Sequence, residues 1–390
     1  MPRISPLWPF AAYLVLGIFY VFPSGLPQPA DAVLLAGIGG MMLFGRFRLV
    51  LSGEEVLAII ALATWTYAVN CWYFVQIGDL TFLKKALFYL YNLGFFAAAI
   101  SAARLARPGE IRILFWAAFA ALILEFLLII LRPELIGRRQ IGSFNNPNQL
   151  AYWALLNAGV MFLALISCRR AGLPITLGRM AALGAILITG FVIGESLSKA
   201  GFAAYLAMVA LMLGPIFGLR PVTILCGAIL AVAVAVIVIP SGDSALAFGQ
   251  SLNLDFTDKL IRRFTHVQAD DSLTSRGYFR LLEMPQFLIA GAGEGAFWRV
   301  SASAGKEVEI HSTPVHFITS YGLIGLGFLG AFAAVFLRRL TLAAMAILVA
   351  ILIYGLAHNG LRFTHLWLVL ALIAAQCPTP APRAARAAYA

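Results

Sequence analysis

Apolar residues run through this chain in long blocks, separated by short polar stretches, with neither strand-like alternation nor the one-sided stripe of a soluble helix. A helix rises 1.5 Å per residue, so about 20 apolar residues cover the roughly 30 Å hydrocarbon core of a bilayer. The blocks give twelve candidate spans: 7–22, 32–46, 55–77, 85–103, 111–131, 148–167, 177–194, 199–217, 221–240, 313–336, 340–357 and 363–376. The second and last are short for a full crossing. The expected fold is all-α, a polytopic membrane protein of about 12 transmembrane helices. Residues 241–311 form the one long polar interruption, expected as a large loop carrying short helices. The expected organisation is nine spans in 1–240, the loop in 241–311, three spans in 312–376, and a disordered tail at 377–390 rich in Pro and Ala.

Composition sharpens that picture. The chain is 62% hydrophobic and 12% charged, against about 25% charged in soluble domains. A net charge of +11 would point to nucleic acid in a soluble protein. In a chain this apolar it sets orientation instead, through basic cytoplasmic loops. With the N-terminus inside, the inner segments carry 14 basic residues, among them Arg46, Arg48, Arg104, Arg169, Arg170 and Arg338. The short outer segments carry 7: Lys84, Lys85, Arg132, Arg138, Arg139, Lys199 and Arg362. Both termini are thus expected in the cytoplasm, and the loop in the periplasm of an inner membrane. Met1–Phe22 has the look of a signal peptide, but the cleavage-like Ala30-Asp31-Ala32 lies well past the apolar run, so the segment reads as a retained first span. Cys71, Cys168, Cys226 and Cys377 have no ligand spacing, so neither a disulfide framework nor a zinc site is expected.

The outer basic residues work against the orientation rule, which gives them interest. Arg132, Arg138, Arg139, Lys199 and Arg362 fall beside outer helix ends, where several could line an anion site; snorkelling to headgroups is the plain alternative. Before the sixth span, Gly142-Ser143-Phe144-Asn145-Asn146-Pro147-Asn148 offers Asn146 as a helix cap and Pro147 for the first turn. The helix would open with unpaired N–H groups and the positive end of its dipole at the outer face. Glu195-Ser196-Leu197-Ser198-Lys199-Ala200-Gly201 contains a Ser-x-x-Lys pattern, but without a Lys-Thr-Gly partner it argues poorly for an acyl-serine enzyme. Lys199 reads better as a phosphate-facing cation, or as the partner of Glu195 at i, i+4.

Within the loop, Asp255–His266 is amphipathic, with Lys259, Arg262 and Arg263 beside an apolar face, and could lie on the membrane surface. Ser275–Glu283 reads as a helix ending near Pro285, placing Arg276, Arg280 and Glu283 on one side. Two guanidiniums on one face would suit a diphosphate, unless the face is merely solvated. Gly291-Ala292-Gly293-Glu294-Gly295 lacks the following Gly-Lys-Ser/Thr of a nucleotide loop and reads as a turn. His311 opens the tenth span; eleven residues on, about 20° around a helix axis, Gly322 would share its face and admit a neighbouring helix. Histidine is suited to moving or orienting a proton near neutral pH. His316 competes with it, and His358, Asn359 and Arg362 form another polar set at the outer end of the eleventh span.

Together these pieces resemble the O-antigen ligase family and the related polymerases of O-antigen and exopolysaccharide. The Gly-x-Phe-x-Asn-Pro-Asn stretch at 142–148, Ser198-Lys199-Ala200-Gly201, and His311-x10-Gly322 followed by Leu323-Ile324-Gly325 carry the resemblance over about residues 140 to 330. The family's Arg-x3-Leu pattern departs here: Arg280 stands four places after Arg276, with Leu281 next. The resemblance implies glycosyl transfer at the periplasmic face, without metal, nucleotide or other cofactor. The donor would be a glycan on undecaprenyl diphosphate, and the acceptor a hydroxyl of lipid A–core or of a growing polysaccharide. Catalytic roles would fall to His311, Arg276 and Lys199. Arg280, Arg139, Arg138, Asn146, Asn148, Arg262 and Arg263 would bind the diphosphate and glycan. The physics agrees with such a site, because preorganised cations stabilise a leaving group that gains negative charge. Ligase and polymerase are not separated by these residues. A transporter or flippase of an anionic lipid-linked substrate is the alternative of a different class. It predicts ionisable residues deep in the spans and broken helices near the midplane, and Glu125 is the clear ionisable residue inside a span.

Overall fold

The computed structural model describes residues 4–22, 27–136, 139–172, 178–217, 276–295, 310–338 and 340–376. The ninth expected span, the Asp255–His266 segment and the tail lie outside them. Among the described residues the chain is helical: α1 Trp8–Leu16, α2 Pro29–Leu43, α3 Gly53–Ile77, α4 Thr81–Leu105, α5 Arg112–Leu131, α6 Pro147–Arg170, α7 Gly178–Ser196, α8 Lys199–Phe217, a short α9 Arg280–Glu283, α10 Thr313–Phe336, α11 Leu342–Ala357 and α12 Thr364–Ala375. A two-residue antiparallel pair, Leu135–Ile136 with Arg139–Gln140, interrupts the helices.

Six of these helices, α3, α4, α5, α6, α8 and α10, are long and apolar enough to cross a membrane. Four more, within α2, α7, α11 and α12, are apolar but shorter. The exposed surface also suits lipid. On α3, Leu57, Trp72 and Val75 are all well exposed, and a contiguous apolar surface of that kind seeks a bilayer. The protein is a helical membrane protein. The expected first span shrinks to the nine residues of α1, which ends at Gly17.

The core forms around α6, which is buried without a break from Leu150 to Ala164. It packs against α5, α7, α8, α11 and α12. Behind it, Phe96 of α4, Phe332 and Phe336 of α10 and Trp367 of α12 meet edge-on and tilted, arrangements that aromatic quadrupoles favour. The packing fixes two ends. The N-termini of α6, α8 and α10 and the C-terminus of α11 gather at one end, joined by Tyr354 to Asn148 and by Thr313 to His358. At the opposite end Arg104 of α4 grips both oxygens of Glu55, and Arg338 after α10 reaches Glu54.

Helix α10 contains the main departure from expectation. Gly322 has φ 69° and ψ −176°, so the helix is broken there. The break frees backbone groups that hydrocarbon cannot satisfy, and the segment before α10 takes them. Ala292 N donates to Thr319 O (2.8 Å), Gly293 N to Ser320 O (2.9 Å), and Trp65 Nε1 to Tyr321 O (2.9 Å). In return Leu323 N and Ile324 N donate to Leu288 O (2.7 Å) and Ile289 O (3.2 Å). A Cβ on Gly322 would collide with Ile289 O, and one on Gly291 with Ser320 O. Gly322 thus admits a loop backbone, not a neighbouring helix. The shared helical face proposed for His311 and Gly322 does not exist. His311 also precedes the helix, whose N-cap is Ser312.

The Gly291–Gly295 stretch is therefore more than a turn. It carries Glu294 into the interior, fully buried. Arg362 Nε binds Glu294 Oε1, Tyr321 OH donates to Oε2 (2.9 Å), and His316 Nε2 lies 3.6 Å from Oε1. Burial alone would raise this carboxyl, but Arg362, His316 and Lys85 outweigh it and hold Glu294 well below the usual carboxylate range. Arg362, expected at an outer anion site, faces inward to this carboxylate instead.

Candidate functional site

The site end is built from three short connections. After α5 the chain folds into the antiparallel pair that carries Arg139. Glu125 of α5 then fixes the following loop: Ser143 N donates to Oε1 (2.8 Å) and Ser143 Oγ to Oε2 (2.7 Å). Gly142, at φ 54°, lies so close that a Cβ would strike Glu125. From there the chain enters α6, where Asn146 accepts from Asn148 N (2.8 Å) as the N-cap and Pro147 takes the first position. The sequence pattern for this helix start is the one observed.

The α7–α8 connection is a tight corner, with Leu197 at φ 50°. Ser196 Oγ donates to Ile193 O (2.6 Å) and accepts from Ser198 N (3.2 Å). Ser198 Oγ accepts from Gly201 N. Both serines are buried, so the Ser-x-x-Lys pattern shapes a corner and offers no nucleophile. Lys199 opens α8, beyond the break, and so has no helical i, i+4 relation to Glu195.

Arg139 ties these two connections together. Its Nε donates to Ser196 O (3.0 Å) and its Nη2 to Asn148 Oδ1 (2.7 Å). Asn148 extends the network, because its carbonyl accepts from Tyr354 OH of α11 (2.8 Å). Tyr354 stacks on Tyr152 at 4.1 Å between ring centroids, with planes 8° apart.

The third connection brings Arg276. Gly277 has φ 83°, and helix starts only at Arg280. Arg276 and Arg280 therefore do not share the expected helical face. Arg276 turns to the end of α11, where Nη1 donates to Ala357 O (2.6 Å) and lies 3.4 Å from His358 Nδ1. Tyr278 OH donates to Leu356 O (2.7 Å). A cation on the last carbonyls of a helix is favoured by orphan acceptors and by the helix dipole, so this contact also caps α11.

His311 is exposed and belongs to the same turn. Ile310 packs on Gly277, Tyr278 and Leu281, and Thr313 Oγ1 donates to His358 O (2.8 Å). His316 lies on the Glu294 side. Of the residues singled out in the sequence, Arg139, Asn148, Lys199, Arg276 and the His311 turn come to one end of the bundle. Arg280 sits on α9 beside it. Asn146 is used as a cap. Arg132 points outward, 3.9 Å from Glu134. Arg138, Arg262 and Arg263 lie outside the described residues. No family model matches this chain, and no curated protein matches it.

Sequence reasoning missed Tyr354. Its trace is a lone hydroxyl in an apolar helix, one turn before His358. Glu294 was missed too, although an acid flanked by glycines leaves room for a buried backbone approach. Among the described residues no group of three or more His, Cys, Asp and Glu is placed to hold a metal ion. The chemistry assembled here is that of guanidiniums, amides, a phenol and imidazoles at the rim of an apolar bundle. Such a set can bind an anion by charge-assisted hydrogen bonds and orient a hydroxyl.

Proposed function

We propose that the chain is a membrane glycosyltransferase of the O-antigen ligase type, acting at the periplasmic face of the inner membrane. It would move a glycan from undecaprenyl diphosphate to a hydroxyl of lipid A–core. The observation that carries this reading is that Arg139 and Arg276, 137 positions apart in the numbering, meet the same α11 end through Asn148, Tyr354 and His358. In the reaction, the acceptor oxygen forms a bond to the anomeric carbon as the bond to the diphosphate oxygen breaks. Arg276, Arg139 and Lys199 stabilise the charge that the leaving diphosphate gains, and His311 orients the acceptor hydroxyl or takes its proton. The lipid tail would lie against the exposed apolar surface. A polymerase of the same family, with a second repeat unit as acceptor, would use the same residues.

The test is reconstitution. Purified full-length protein in lipid is given an undecaprenyl-diphosphate-linked glycan with either lipid A–core or a second lipid-linked unit. Glycan transfer with release of undecaprenyl diphosphate is the expected result, and the acceptor used separates ligase from polymerase. Absence of transfer to both acceptors overturns the proposal.

One observation favours a transporter as the second reading: α10 is broken, as helices at many transport sites are. In such sites the freed backbone groups bind substrate. Here they bind Ala292, Gly293, Trp65, Leu288 and Ile289, which favours a structural role for the break.

A further inference from the structure

One chain of contacts joins the two guanidiniums at the site end. Arg139 Nη2 donates to Asn148 Oδ1, and Tyr354 OH donates to the carbonyl of that same Asn148. The Tyr354 ring lies 4.9 Å from the His358 ring, and His358 Nδ1 faces Arg276 Nη1 at 3.4 Å. The two middle side chains are fixed from outside. Tyr354 is pinned by its stack on Tyr152. His358 is pinned by its N–H on Tyr354 O (3.0 Å) and its carbonyl under Thr313 Oγ1 (2.8 Å).

The contact at His358 also has a direction. A guanidinium has donors and no acceptor, so a hydrogen bond across this 3.4 Å contact needs Nδ1 as its acceptor. As that acceptor His358, with Ala357 O, aims Arg276.

We propose that Tyr354 and His358 are positioning residues that set the separation of Arg139 and Arg276, and so select a ligand with two linked phosphates over one with a single phosphate. This rests on the lipid-diphosphate reading above but concerns different residues and a different measurement. A diphosphate offers anionic oxygens at two separated centres, which two guanidiniums held at fixed spacing can meet together. A monophosphate can satisfy one guanidinium well or both poorly. Guanidiniums free to drift would bind either ligand with similar strength, because Arg recognition depends on a preset fork.

The experiment measures binding of farnesyl diphosphate and farnesyl monophosphate to the purified full-length protein in lipid nanodiscs, without any glycan. The unmodified protein is expected to prefer the diphosphate by about tenfold or more, the equivalent of one charge-assisted hydrogen bond. Tyr354→Phe keeps the stack on Tyr152 and loses the bond to Asn148; it is expected to lose most of that preference. His358→Leu is expected to do the same. His358→Asn places an amide oxygen near the position of Nδ1 and is expected to restore the preference. A merely structural role would not distinguish the last two if both fold, and thermal melting of each variant checks that they do; should His358→Leu not fold, Tyr354→Phe decides alone. A diphosphate preference unchanged in Tyr354→Phe, or no preference in the unmodified protein, overturns the proposal. Glycan transfer is scored separately: a protein that shows the preference and its loss but transfers nothing keeps this inference and loses the functional reading.

Discussion

The two ends of the bundle hold their arginines in different ways. At the end away from the site, Arg104 is gripped by both oxygens of Glu55, and Glu55 also closes the capping box of α3 with Ser52. At the site end, Arg139 donates to the carbonyl of Ser196 and the amide oxygen of Asn148, and Arg276 donates to the carbonyl of Ala357 beside the imidazole of His358. A carboxylate fixes a guanidinium and cancels its charge. A carbonyl fixes it and adds no charge of its own. The first arrangement clamps one helix end; the second ties loop and helix ends around the proposed site.

The comparison can be broken most sharply by activity. Arg276→Ala and Arg139→Ala are expected to lower glycan transfer by about 100-fold or more, the loss seen when one preorganised donor is removed from a charge-stabilising site. Their melting temperatures should stay near that of the unmodified protein. Melting curves that collapse in both variants would show these arginines to be structural, like Arg104. The converse experiment is Arg104→Ala, which leaves Glu55 buried without its partner. A loss of about 3–5 kcal/mol of stability is expected from breaking a buried pair, read as a lower thermal midpoint in detergent, with transfer per folded molecule unchanged. A transfer defect without a stability defect would erase the distinction between the two ends.

Glu294 lies between these cases and gives a smaller, pH-resolved effect. Its carboxyl is held below the ordinary value of 4.5 by Arg362, His316 and Lys85, against the cost of burial. A carboxyl depressed in the folded state contributes stability that is complete above its unfolded value and is lost as pH falls toward the folded one. The melting temperature should therefore hold above about pH 5 and drop below about pH 4.5. Glu294→Gln should melt lower at neutral pH and lack that acid-side slope. An identical slope in both proteins would mean that other carboxyls carry it.

Much of the fold was legible because hydrocarbon imposes length and apolarity together. The bounds expected for the tenth span, 313–336, are those of α10, and Asn146-Pro147 marked the start of α6 through cap chemistry alone. What remained hidden depends on distant backbone. The break at Gly322 follows from the close approach of residues 288–293, and a glycine in an apolar run does not announce whether it admits a helix, a loop or nothing. The inward turn of Arg362 was hidden for the same reason, since its partner Glu294 stands 68 positions earlier. At the site, the residue types were visible but their companions were not. Periodicity put Arg276 beside Arg280, whereas the turn at Gly277 delays the helix to Arg280 and leaves Arg276 facing His358.

The clasp at Gly322 also bears on how the protein is made. Synthesis runs from residue 288 toward 324, so the loop segment that seals the gap is built before the helix that contains it. The carbonyls of Thr319, Ser320 and Tyr321 depend on that later closure for their partners. Hydrocarbon offers those carbonyls nothing, so the gap in α10 is closed only when residues 288–293 and Trp65 are both seated against it.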